Sequence, residues 1–378
     1  MRAVAVICLL VTSADAEPAF VPERAVVVGR VGDGAWTDAP TEARLDQPAE
    51  LAAVAIGHRG RKRIVLAPAG IAKVKLAGST VATEPFDGDV LAQWSLVEPH
   101  GFRTSKAANG ATSEFYSNVS TEAHTFGKWL GFDKIDYFET VTQPWSHDFQ
   151  IAAKVIATET DAVQLAGLGT SRYKVELRGS VVATSAGDEA TDTYGIVPAV
   201  HRVSIRKGDD FLGWLTSYML VPEVFGSAGG GRLHQTERFT GADCADVMVG
   251  AIRRAGRTDL DYTNVAGLPD YAVTIARATL IDEHGMPEHP IEGVKVGDMI
   301  RIDYGGALAH HTPRDWDHVA ALWEDKSDPD GPFHGGPDGK LDGFDLVIHM
   351  GHPRLIIEPL AHQAPATVDV LRWRKRYP

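Results

Sequence analysis

Cys244 is the residue best placed to do chemistry. It opens the clearest helical pattern in the chain. Asp243 can cap that helix, Val247, Ala251 and Ala255 fall on one stripe with Met248 and Ile252 beside it, and Gly256 ends it after Arg253 and Arg254. A thiol at a helix N-terminus meets unpaired N–H groups and the positive end of the dipole, which favour the nucleophilic thiolate. The same amides can donate to an oxyanion growing on an attacked carbonyl. A nucleophile needs a base, and two histidines stand where strands should present them. His318 enters the run Trp316-Asp317-His318-Val319-Ala320-Ala321-Leu322, and His349 closes Leu346-Val347-Ile348-His349. If these runs pair antiparallel, His349 reaches the far nitrogen of His318 and fixes its tautomer, as the third member of a triad does. Taken singly, each has a plainer reading: a small buried hydrophobe, a surface histidine at a strand start, a half-buried histidine bonded to backbone. Taken together, thiol and imidazole are expected as a thiolate–imidazolium pair, each charge stabilising the other.

The rest of the chain must hold these three in place. Residues 1–16 read as a signal peptide, with Arg2 as the positive start, an apolar run over 3–11, and small residues at Ala14 and Ala16. The only other cysteine, Cys8, falls inside it, so the mature chain would carry Cys244 alone, without an internal disulfide. No other apolar run approaches the ~20 residues of a membrane span, so a periplasmic or secreted protein is expected. A formal net charge of −13 lacks the basic footprint that nucleic acid demands. From 17 to 210 short apolar runs such as 25–31, 64–67, 149–157, 173–177 and 200–205 alternate with turn residues, predicting a β-rich region of sandwich or barrel modules, two in number. The stretch 104–131, rich in Ser, Asn, Gly and Thr, reads as linker or insert. The character changes after Asp210. Residues 211–378 run from an apolar aromatic stretch at 211–221 through the Cys244 helix to strand-like segments at 299–302, 319–323, 346–349, 355–357 and 368–373, an α+β layout.

Over 211–378, and nowhere N-terminal of it, the chain resembles the NlpC/P60 cell-wall peptidases. Asp243-Cys244-Ala245-Asp246 resembles their Asp-Cys-Ser-Gly helix start, and Val296-Gly297-Asp298-Met299-Ile300 their Pro-Gly-Asp-Leu. Asp317-His318-Val319-Ala320 resembles their Ser-His-Val-Gly, and Val347-Ile348-His349-Met350 their Ile-His-Ala, in the family's order. Phe225-Gly226 and Gly229 to Gly231 stand where the family has a Tyr and a Gly-Gly turn. The chain departs from the pattern in Asp246 for Gly, in lacking Pro before Gly297, and in the insert 325–345 between the histidine segments. The resemblance implies a papain-like α+β domain and a Cys-His-polar triad cleaving amide bonds in peptidoglycan stem peptides. Cys244 would attack, His318 would take its proton, and His349 would orient His318. Asp243, Ala245 and Phe225 would fall at substrate-binding or oxyanion positions.

Three alternatives compete. The related CHAP amidases finish their site with a carboxylate, and Glu358 in Ile356-Ile357-Glu358-Pro359 can take that place instead of His349. The insert 325–345 carries Asp325, Asp328, Asp330, Asp338, Asp342 and Asp345. It matches the later half of an EF-hand loop but puts His334 and Gly336 at the first and third ligand places, so a solvated acidic turn is the preferred reading. His310, His311, Asp315 and His318 lack paired zinc spacing, and no metal or cofactor is expected. A catalytically silent cell-wall binding protein is the third, disfavoured because the Cys and both histidines are present. The sequence assigns no oligomeric state.

Overall fold

The computed structural model describes residues 18–99, 105–106, 112–113, 116–117, 135, 137–156, 167–192, 194–228, 234–305, 316–351 and 354–375. The expected signal peptide with Cys8, the glycines 229–231, His310, His311, Asp315 and most of 104–131 lie outside the described residues.

Two sheets carry the N-terminal region. In one, Phe20–Val31 pairs antiparallel with Ala49–Arg59, which pairs in turn with Lys62–Ala67 and Gln150–Ala152. The other runs Tyr137–Ser146, Val90–Pro99, Gly169–Gly179, His201–Arg206, Thr41–Arg44. Period-two alternation sends Val27, Ala53 and Leu66 into one core with Trp94, Leu96 and Val175 of the second sheet. It sends Val28, Val54 and Val65 the opposite way, under Trp36, Ile71 and Val74. Burial on both faces is why the run around Val26–Val28 is continuously apolar. The β-rich N-terminal half matches the expectation from sequence.

Among the described residues three α-helices follow: α1 (Phe211–Thr216), α2 (Gln235–Arg238) and α3 (Cys244–Arg254). Beyond them a six-stranded antiparallel sheet is ordered Ala272–Ile281, Ala366–Trp373, Met299–Asp303, His318–Glu324, Leu346–Met350, Leu355–Pro359. On one face Val247, Met248 and Ala251 of α3 meet Met299, Val319, Ala321 and Ile348. On the other, Ile300, Leu322, Val347 and Val368 are closed over by Ile281, Ile291, Val294 and Leu341. The sheet is thus buried on both sides, which holds its central strands rigidly.

The α+β, papain-like expectation for the C-terminal domain is overturned. Among the described residues strand makes up 47% and helix 11%, and the molecule is a β protein. The expectation extrapolated from a single clear helical period. α1 and α2 are too short to hold without tertiary packing, and the stretch after α3 turns to strand through Pro269, Pro287 and Pro290 rather than to further helix. No helix among the described residues is long and apolar enough to cross a membrane.

Candidate active site

Cys244 is the first residue of α3, half-buried and free of any disulfide. Asp243 is the N-cap, its Oδ1 accepting from the Asp246 N–H at 2.8 Å and its Oδ2 from the Gly226 N–H at 3.0 Å. Its carboxylate also draws the Ala245 N–H. Asp243 is therefore an acceptor occupied in capping and not an oxyanion donor, and the Ala245 amide is turned toward it. The N–H of Cys244 itself has no partner among the described residues and is the amide left for an oxyanion. Phe225 is half-buried in the two-residue strand Val224–Phe225, immediately before the turn that Asp243 holds. A second carboxylate, Asp246, fixes the same turn. Its Oδ2 accepts from the Ser227 hydroxyl at 2.6 Å and the Ala228 N–H at 2.7 Å. Burial, and then the Asp243 charge, push the Asp246 carboxyl well above the usual range.

α3 packs against the His318 and His349 strands, and the Val319 N–H points at the Cys244 sulfur, one residue beyond His318. Trp316, in the left-handed region at φ 55°, turns the chain into this strand under the Arg301 guanidinium, 4.1 Å from its ring centre. Asp317 accepts from the Tyr304 N–H at 2.9 Å, and the Tyr304 ring stacks on that of His318 at 6.3 Å between centroids.

The histidine strands pair antiparallel, which is the condition on which His349 could reach His318. His318 Nε2 lies 2.9 Å from His349 Nδ1, the rings nearly perpendicular at 87°. His349 Nε2 in turn lies 3.0 Å from Glu358 Oε1, delivered by the neighbouring strand. Glu358 does not replace His349 on His318; the two stand in series. Its carboxylate also accepts from Gln363 Nε2 at 2.5 Å and lies 3.0 Å from His362 Nδ1, while Gln363 Oε1 accepts from the Tyr304 hydroxyl.

Glu358 fixes the direction of the chain. The His349 hydrogen bond, ahead of the opposing effect of burial, holds its carboxyl down at about 2, so it is an ionised acceptor. His349 must then carry its proton on Nε2, which leaves Nδ1 to accept from His318 Nε2–H. The bare nitrogen of His318 is Nδ1, the one a base needs.

The thiolate–imidazolium pair expected from sequence is not what this setting favours. Burial, then the Asp243 charge, push the Cys244 thiol well above its ordinary value, with the Val319 N–H only partly offsetting them. Burial, with His349 next, holds His318 well below its ordinary value. The helix N-terminus is real, but its amides are drawn to the Asp243 carboxylate, so the positive end is largely neutralised. Both shifts favour the uncharged forms of thiol and imidazole.

Sequence reading had singled out Cys244, His318, His349 and Glu358. It missed Ser227, Tyr304, His362 and Gln363, which share no spacing with them and arrive through the folding of three separate turns. The carboxylates of the acidic insert are not gathered closely enough in this structure to share an ion. Among the described residues the cluster of carboxylates close enough to share an ion is Glu139, Asp188 and Glu189, and the Lys174 ammonium already lies 2.7 Å from Glu139. No protein-family model, no curated protein and no solved structure matches the chain.

Proposed function

We propose that the chain is an exported cysteine hydrolase that cleaves amide bonds, with peptidoglycan stem peptides as the substrate class, in line with its motif resemblance to the NlpC/P60 peptidases. The observation that carries this reading is the unbroken hydrogen-bonded line His318, His349, Glu358, whose first member is followed directly by Val319, the residue whose N–H meets the half-buried Cys244 sulfur. In this scheme Cys244 Sγ attacks the carbonyl carbon as its proton passes to His318 Nδ1. The growing oxyanion takes the Cys244 N–H, and the imidazolium is stabilised through His349 by the Glu358 carboxylate. Collapse expels the amine, which receives the proton from His318. The thioester is then cleared by a water that His318 deprotonates. A neutral resting pair makes His318 a general base during attack rather than half of a preformed ion pair.

The test is mass spectrometry of purified peptidoglycan fragments after incubation with the wild type and with Cys244→Ser. New amine and carboxyl termini are expected with the wild type alone, with thermal stability little changed between the two. Fragments released equally by Cys244→Ser would overturn the assignment, and wall binding without cleavage by the wild type would make the chain a silent binding protein.

A further inference from the structure

Five guanidiniums gather around α2 where the second N-terminal sheet meets it, and three carboxylates answer them. Glu42 Oε1 accepts from Arg202 at 2.6 Å and Arg254 at 2.8 Å. Asp192 takes Arg238 Nη1 through both oxygens at 2.9 Å, and Glu237 takes Arg253 Nε at 3.1 Å. The Phe239 ring faces Arg202 and Arg254 at 4.3 and 5.0 Å and offsets part of their charge.

Arg172 has no such compensation. It is only 4% exposed, and among the described residues the charges acting on it are those of Tyr137, Arg202 and Arg238, with no carboxylate among them. Its Nη2 donates to two backbone carbonyls, Arg238 at 3.2 Å and Phe239 at 2.7 Å. Nearby, Arg238 Nε is buried without a partner. Burial, and behind it the like charges of Arg202 and Arg238, draw the Arg172 guanidinium down to about 10, although the Tyr137 phenol opposes them. A buried charge without a counter-ion is an expensive arrangement.

These side chains border a space. Arg172, Arg202 and Arg238 line a cavity of about 120 Å³ together with one carboxylate, Glu237, which is already engaged by Arg253, and the rest of the wall is aliphatic, with Val197, Pro198 and Val200 in it. We propose that this cavity binds a small carboxylate, its oxyanion on Arg172 and Arg238 and its apolar body against Val197, Pro198 and Val200. Water occupies ~30 Å³ in the liquid, so the space suits an acid of a few carbons. Planar guanidiniums suit a planar carboxylate. An inorganic oxyanion offers the same charge without the body that the aliphatic wall would cover.

Calorimetry on the full chain tests this without reference to catalysis, titrating isobutyrate, inorganic phosphate and chloride at matched ionic strength. Isobutyrate is expected to bind saturably at one site, at least tenfold more tightly than phosphate, with chloride giving no saturable heat. Val197→Phe, which fills the cavity, should abolish this binding. Arg238→Lys, which keeps a charge for Asp192 and removes Nε, should weaken it at least tenfold. Absence of saturable binding in the wild type overturns the site, as does binding unchanged in both variants. Phosphate binding as tightly as isobutyrate overturns the carboxylate assignment. Should Val197→Phe fail to fold, the wild type and Arg238→Lys decide alone.

Discussion

A histidine bonded to another histidine has no fixed tautomer until a third group chooses one. Here Glu358 makes the choice for both rings, and the order in the line gives unequal expectations. His349→Ala removes the group that holds His318, so kcat should fall by on the order of a hundredfold or more. Glu358→Gln leaves His349 in place but removes the charge behind it, and a loss of ~10–100-fold is expected. The double variant should be no slower than His349→Ala, since groups acting through one residue do not add. Additive losses in steady-state assays would mean that Glu358 touches the substrate on its own account. The charge state of the dyad makes a separate expectation. Protonating His318 removes the base, and because its affinity for protons is lowered, kcat/KM should stay level as pH falls through ~6.5 and decline only below it. Alkylation of Cys244 by iodoacetamide should be slow at neutral pH and rise only above the ordinary thiol range near ~8.5. Rapid alkylation at pH 6 would restore the ion pair that the sequence suggested.

At the scale of elements, legibility followed burial. The strands Met299–Asp303, His318–Glu324, Leu346–Met350 and Ala366–Trp373 have long buried stretches, and their apolar runs announce them. Ala272–Ile281 is as long as any of these and carries no such signal. Its middle is exposed or half-exposed, and register shifts at Thr274/Ala276 and Ala276/Thr279 break the two-residue period. α3 was legible because cap, stripe and stop agree; α1 and α2 were not, because a turn or two of helix has no period to read. The acidic insert shows how composition misleads about chemistry. Asp345 accepts from the Lys326 N–H at 2.8 Å and the Asp342 N–H at 2.9 Å, and Asp325 accepts from the Asp338 and Gly339 N–H groups, each at 3.0 Å. Burial pushes Asp345 up to about 8, with the Asp342 and Asp325 charges adding to it. Carboxylates turned onto backbone amides are holding a loop shape, and a metal would have to displace those amides. Calcium titrated into the full chain should bind no more tightly than ~10⁻⁴–10⁻³ M, with little change in the melting temperature. Micromolar binding in the calorimeter would show that the loop rearranges around the ion.

Across the whole molecule, the change of character after Asp210 is visible in the sequence, but its meaning is not. Asp210 caps α1 through the Gly213 N–H at 2.7 Å, and the helix then drives Phe211, Trp214 and Leu215 into a core that runs without a break from Val27 and Trp94 to Met248 and Ile348. Glu42 ties the same junction from the polar side, joining Arg202 of the N-terminal sheet to Arg254 of α3. Composition cannot disclose this, because an apolar side chain at a boundary looks the same whether it seals one domain or joins two. The consequence is that the site's scaffold and the β-rich region should unfold together. Leu215 is fully buried at their meeting, and Leu215→Ala should cost about 2–5 kcal/mol, the range for a core leucine whose surroundings relax only in part. The informative measurement is native-state hydrogen exchange, followed at Val90–Pro99 on one side and Met299–Asp303 on the other. Both strands are expected to lose protection by similar amounts in the variant, and calorimetry should show one transition moved down rather than two moved apart. Loss confined to Met299–Asp303, with Val90–Pro99 unchanged, would mean that the β-rich region stands alone and that the shared core is contact without cooperation.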